Sequence, residues 1–322
     1  FDLENKESDI SEFPESYTDI AGKFLVEKAK KDKKIVAITA ATPAPVGLNY
    51  FRQEESLKEQ YVDVGIAEEH AVAFASGIAS QGGKPVLSIL SSFVQRTYDQ
   101  LSQDLAINNN PALIMVSWAG ITGGDVTHLG IFDIPLISNI PNIVYLAPTS
   151  KEECLAMIEW GIEQKNHPVA IRVPNGNVIS TGVKVKADFH NLNVYEKTID
   201  GSEVAIIGLG SFYDLGKRVQ EKLQSETGIK ATLINPRFIT GVDKDLLTDL
   251  LDNHKLVITL EDGVLDGGFG EKISRFYGDK NMKVLNFGAT KEFTDRVSLE
   301  ELYERYHLTE DLIINDIKTA LK

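Results

Sequence analysis

From Lys34 to the end of the chain, short apolar runs alternate with segments whose apolar residues recur at helical spacing. The runs predict strands over Ile35–Thr39, Tyr61–Val64, Pro85–Leu90, Ala112–Ser117, Ile143–Leu146 and Val169–Val173. The recurring pattern predicts helices over Tyr17–Lys30, Glu68–Ser80, Thr97–Asn108 and Lys151–Gln164. Strands and helices in this alternation imply a mostly parallel sheet covered on both faces. A polar stretch without pattern, Asn175–Gly201, separates this set from a second one. There, strands are predicted over Val204–Leu209, Lys230–Asn235, Lys255–Leu260 and Lys283–Phe287, with helices between. The expected fold class is α/β, with two tandem domains of mostly parallel sheet at 16–185 and 195–322. An acidic, aperiodic arm or linker over 1–15 precedes them.

Composition narrows the function. At 322 residues the chain can bury two ordinary cores. A formal net charge of −14 argues against a nucleic-acid partner, because a phosphate backbone needs a concentrated basic face. The one basic cluster, Lys28–Lys34, falls at a predicted helix end, where cations complement the dipole, and reads as a solvated terminus. A single cysteine, Cys154, excludes an internal disulfide; on an amphipathic helix with no basic neighbour it reads as a small buried hydrophobe. No apolar run is long enough for a membrane span, so no membrane partner is expected and the cytoplasm is the expected compartment. The chain opens on Phe1 without a methionine or an apolar signal segment. That is expected of a processed or truncated piece and leaves room for a targeting segment ahead of it.

The densest chemical signal is Tyr61-Val-Asp-Val-Gly65-Ile66-Ala-Glu68-Glu69-His70. A strand ends, glycine permits a tight turn, and a helix begins with two acids. Open α/β sheets place ligands at such carboxyl ends of strands. Acids also stabilise a helix N-terminus, so a purely structural role stays open for the pair.

Together with SSFVQRTYDQ at 91–100, AGITGGDVTHLGIFD at 119–133 and RVPNGN at 172–177, the segment DVGIAEEHAV resembles, in order and spacing, the deoxyxylulose-phosphate synthases of the transketolase family. The likeness covers the whole first domain and continues more loosely through INPRF (234–238) and LEDGVLDGGFG (260–270). It implies a thiamine-diphosphate enzyme that decarboxylates a 2-oxo acid such as pyruvate. The two-carbon unit then passes to an aldehyde such as glyceraldehyde 3-phosphate. The fold it implies is a thiamine-pyrimidine-binding domain followed by a transketolase C-terminal domain.

By the same resemblance Glu68 bonds N1′ of the cofactor's aminopyrimidine and drives its amino-to-imino tautomerism, a general acid–base role. Phe93 stacks on that ring. Arg96 sits at its edge, with an ion pair to Asp99 as the alternative. Ile66 supplies an apolar wall or simply packs. His128 stands at the substrate end with catalytic and substrate-binding duties. Asp125 joins it there, although its loop is one residue shorter than the family's Asp-Gly-x-Thr-His. Arg172 matches an arginine that holds the acceptor's phosphate.

Three positions depart from the family. Leu90 stands where a tyrosine is usual, Trp118 where an arginine is usual, and Asn175 where an arginine is common. Losing a bidentate cation weakens a phosphate site, so a less charged acceptor is expected, with the Trp118 ring as one wall. The diphosphate signature, Gly-Asp-Gly followed by Asn, does not occur: Gly124-Asp125-Val126 fails at its third position. Gly208-Leu-Gly210 has Tyr213 where a dinucleotide loop needs its third glycine. The diphosphate and its Mg²⁺ are therefore expected on an N-terminal domain or subunit, with no metal ligands in this chain, and a homodimer is expected. A transketolase-type C-terminal subunit with another acceptor and a non-catalytic paralogue that only assembles with a partner remain as alternatives.

Overall fold

The structure, a computed structural model, describes residues 15–185 and 188–322; the expected arm falls on 1–14, outside the described residues, apart from Glu15. The first sheet contains β1 (Ile35–Thr39), β2 (Tyr61–Asp63), β3 (Lys84–Leu90), β4 (Leu113–Ala119), β5 (Val144–Leu146) and β6 (Val169–Pro174). Its order is β2-β1-β3-β4-β6-β5 and every pairing is parallel. The second contains β7 (Glu196–Ile199), β8 (Glu203–Gly208), β9 (Thr232–Asn235), β10 (His254–Val264) and β11 (Lys283–Ala289), in the order β11-β10-β8-β9-β7. Its pairings are parallel except β7, which runs antiparallel to β9 at the edge. The fold is α/β in both halves.

Local chemistry explains where the helices begin and end. Ser16 and Asp19 form a reciprocal capping box at the start of Tyr17–Ala29. Ser150 caps Lys151–Ile162 through the amide of Glu153. Gly228, at φ +78°, ends Phe212–Thr227 in the left-handed conformation. Cys154 is buried, and burial pushes its thiol up to about 12. The helix expected over Thr97–Asn108 is irregular instead: a 3₁₀ segment Ser91–Thr97, one α turn Tyr98–Gln100 and a wide π segment Leu101–Ala106. β7 went unpredicted because Glu-Lys-Thr-Ile carries no apolar run; its exposed edge position demands none.

The two halves share a core. One apolar cluster links Ala71, Val72 and Ala75 of the helix Glu68–Ser80 to Leu87, Ile89 and Val116 of the first sheet. Through Tyr145, Ala147 and Ile239 it reaches Ile207, Ile234 and Val257 of the second. Backbone bonds stitch the joint: Ala147 N–H donates to Arg237 O and Ile239 N–H to Tyr145 O, each at 2.8 Å. Beside them Arg237 Nε donates to the buried Glu153 at 2.6 Å.

Candidate active site

The connections leaving β1 and β3 depart in opposite directions, toward β2 and β4, which creates a crevice at the carboxyl ends of the strands. Glu68 lies beside it. Asp63 Oδ1 accepts from the amides of Ala41 and Gly65 at 2.9 and 3.0 Å, Gly65 turns at φ +74°, and Glu68 is the first residue of its helix. Its side chain is buried, the residue being 1% exposed. A buried acid needs a partner, and the partner is Arg96, whose Nη1 donates to both carboxylate oxygens. The alternative pairing with Asp99 does not form.

Contacts run onward from this pair. The Arg96 guanidinium lies 5.3 Å from the Phe93 ring centroid, and the Phe93 ring meets that of His128 edge-on at 5.4 Å. Phe93, Arg96 and His128 line a cleft of about 390 Å³ whose apolar walls include Leu129, Phe132 and Phe293. Phe293 comes from the second half of the chain, is 80% exposed and meets Phe132 edge-on at 6.0 Å. No sequence signal singled out Phe293: a lone phenylalanine in a polar loop carries no periodicity.

The expected site residues separate into two groups. Glu68, Phe93, Arg96 and His128 form one continuous set of contacts. Ile66 is 79% exposed beside its turn and does not line the cleft. Trp118, expected as a wall, also stands outside the lining. The register of β4 against β6 shifts between Val116 and Ala119, and Trp118 there adopts φ +56° with its side chain partly in solvent. Leu90 is buried. Asp125 is committed within its own loop: Oδ1 accepts from the Thr127 amide and hydroxyl at 2.9 and 2.6 Å, and Oδ2 from Arg296 at 3.2 Å. The hydrogen bonds from Thr127 hold its carboxyl below the ordinary aspartate range.

Arg172 does not fit the expected grip on a substrate phosphate. It is buried at the end of β6, where Nε donates to Asp133 at 2.7 Å, Nη1 to Asp262, and Nη2 to Gly130 O at 3.4 Å. Tyr145 donates to the same Asp133, and Ser211 Oγ to Asp262 at 2.6 Å. With two carboxylates already on one guanidinium, a third anion would meet net negative charge. Asn175, not Arg172, faces a separate crevice of about 410 Å³ between the halves, beside Ser211 and Asp262.

Two α/β domains share a core, and a buried acid lies beside an aromatic-walled cleft at the first sheet's switch point, the place where open α/β sheets bind ligands. The chain belongs to the transketolase family. A family model for the transketolase pyrimidine binding domain matches residues 14–180, and one for the transketolase C-terminal domain matches 195–313. The chain is 38% identical over 305 residues to a 1-deoxy-D-xylulose-5-phosphate synthase from Clostridium tetani, covering 94% of this chain and 48% of that protein. It is 39% identical over 328 residues to the corresponding protein from Halothermothrix orenii, covering 100% of this chain and 50% of that one. The chain thus spans about half the length of these relatives. A solved structure described as a split gene transketolase, inactive beta4 tetramer, shares the fold at a TM-score of 0.80 and 22% identity, over 95% of this chain and 98% of that one.

Proposed function

We propose that this chain forms the pyrimidine-facing part of a thiamine-diphosphate transferase of the deoxyxylulose-phosphate synthase type. In this reading a two-carbon unit passes from a 2-oxo acid such as pyruvate to an aldehyde. The observation that carries the proposal is Glu68, buried at a strand-to-helix turn and linked through Arg96 and Phe93 to His128. An aminopyrimidine suits these residues: a flat apolar ring face, a secluded carboxyl and a cleft of about 390 Å³. When bound, the cofactor supplies the carbon nucleophile for the transfer.

The chain's own residues supply the setting. Glu68, withdrawn from water, shares a proton with a ring nitrogen placed against it. Arg96 keeps that carboxyl oriented, and Phe93 contributes a stacking face, about 0.5–1.5 kcal/mol beyond burial. His128, whose ring meets that of Phe93 edge-on, moves a proton on the substrate side. The diphosphate and its Mg²⁺ belong, in this reading, to another domain or polypeptide, since the sequence carries no Gly-Asp-Gly motif. The assembled enzyme is proposed to be a homodimer.

The acceptor is proposed to be less charged than glyceraldehyde 3-phosphate. Arg96 is the cationic residue in the cleft lining and it is spent on Glu68, Arg172 is spent on Asp133 and Asp262, and the walls are Leu129, Phe132 and Phe293.

The test is Glu68→Ala in the complete enzyme, this chain joined with its diphosphate-binding part. Pyruvate-dependent CO₂ release should fall by about 10²–10⁴. Near-normal turnover would sink the assignment.

A further inference from the structure

We propose that Asp125 and Thr127 are positioning residues that fix the tautomer of His128, leaving its Nε2 lone pair free for the cleft, and that the second half of the chain clamps this relay. The proton-accepting duty of His128 rests on the functional reading above; the relay does not.

A threonine hydroxyl has one proton to give, and Thr127 Oγ1 lies 2.6 Å from Asp125 Oδ1, which as a carboxylate oxygen can only accept. Asp125 is kept ionised by those bonds and by Arg296. The Thr127 proton therefore points at the carboxylate, and Thr127 Oγ1 turns a lone pair toward His128 Nδ1, 2.8 Å away. That contact is a hydrogen bond only if Nδ1 carries the proton. The neutral ring is then protonated at Nδ1 and basic at Nε2, since the bond made by one nitrogen decides the state of the other. Nε2 has no hydrogen-bond partner among the described residues, and His128 lines the cleft.

Both flanks of Asp125 are held from a segment about 170 residues away in sequence. Arg296 N–H donates to Gly124 O at 2.9 Å, and Val126 N–H donates to Asp295 Oδ1 at 3.3 Å. The segments touch through backbone, since a Cβ on Gly123 would lie 2.6 Å from Val297 O. Arg296 itself adopts φ +53°, a conformation non-glycine residues rarely take, which these bonds retain. Its exposed ion pair with Asp125 contributes little by itself, so the backbone bonds carry the clamp.

The experiment is a two-bond ¹H–¹⁵N correlation on the full chain labelled at histidine, at about pH 8.5, where an ordinary imidazole is neutral. His128→Gln assigns the signals. His128 should show a protonated Nδ1 and a bare Nε2. Thr127→Val, which keeps the shape and removes the acceptor, should shift it toward the Nε2–H form, and Thr127→Ser should retain the Nδ1–H form. An Nε2–H signal in the unmodified chain, or no change in Thr127→Val, overturns the relay. In the complete enzyme Thr127→Val should lower kcat by about tenfold with KM little changed, and Thr127→Ser should restore it. A flipped tautomer with unchanged kcat would leave the relay standing and overturn the proton role of His128, which belongs to the functional reading.

Discussion

Arg96 donates from a single guanidinium nitrogen to both carboxylate oxygens of Glu68, at 2.8 and 2.9 Å. The pair is asymmetric: the Glu68 side chain is 2% exposed and that of Arg96 47%. Arg96→Met should therefore cost about 1–3 kcal/mol, because a buried carboxylate loses its partner. Glu68→Gln should cost less, because the arginine left behind reaches water. Urea unfolding of both single variants and the double should show the double costing less than the sum.

Arg172 joins the halves, taking Asp133 from one and Asp262 from the other. Arg172→Met strands two buried carboxylates and should destabilise the chain by about 3–5 kcal/mol. Arg172→Lys should rescue little, since a single ammonium cannot reproduce donors aimed at different carboxylates. Thermal unfolding gives the cost. If a folded Arg172 variant instead lost affinity only for phosphorylated aldehydes, its structural role would be wrong.

Glu261 on β10 accepts from the amides of Phe269 and Gly270 at 2.9 and 2.7 Å, yet burial raises its carboxyl to about 7. A raised acid binds its proton more tightly folded than unfolded. Its stabilising contribution is complete below the ordinary glutamate value of 4.5 and fades as pH rises through about 7. Stability of the natural chain should fall relative to Glu261→Gln by roughly 3 kcal/mol across that window. Urea midpoints measured at intervals of pH decide it; parallel curves would rule out a buried proton on Glu261.

The cleft's apolar walls bear on the acceptor. Relative kcat/KM should favour unphosphorylated glyceraldehyde over the 3-phosphate by about tenfold. Phe293→Arg, which adds a cation to the exposed cleft wall, should raise activity specifically toward the 3-phosphate. A natural enzyme already saturating at low micromolar 3-phosphate would place the phosphate grip elsewhere.

Sequence by itself determined the α/β alternation, because buried parallel strands must be apolar and helices must carry a recurring apolar face; ten strands follow from that requirement. It also located the turn that presents Glu68, since glycine at φ +74° and acids at a helix start are local demands. It could not find β7, whose exposed edge imposes no apolar pattern. Pairings between distant residues lay beyond it altogether. Glu68 and Arg96 are 28 residues apart, Arg172 and Asp262 are 90, and Asp125 and Arg296 are 171. A charged side chain's spacing does not encode its partner; the packing of distant segments does, within the first half for Glu68 and Arg96 and between the halves for the other two pairs. Tertiary structure thus decided that Arg172 is a buried tie and that Asp125 is already engaged. It also placed Phe293, rather than Trp118, on the wall of the cleft.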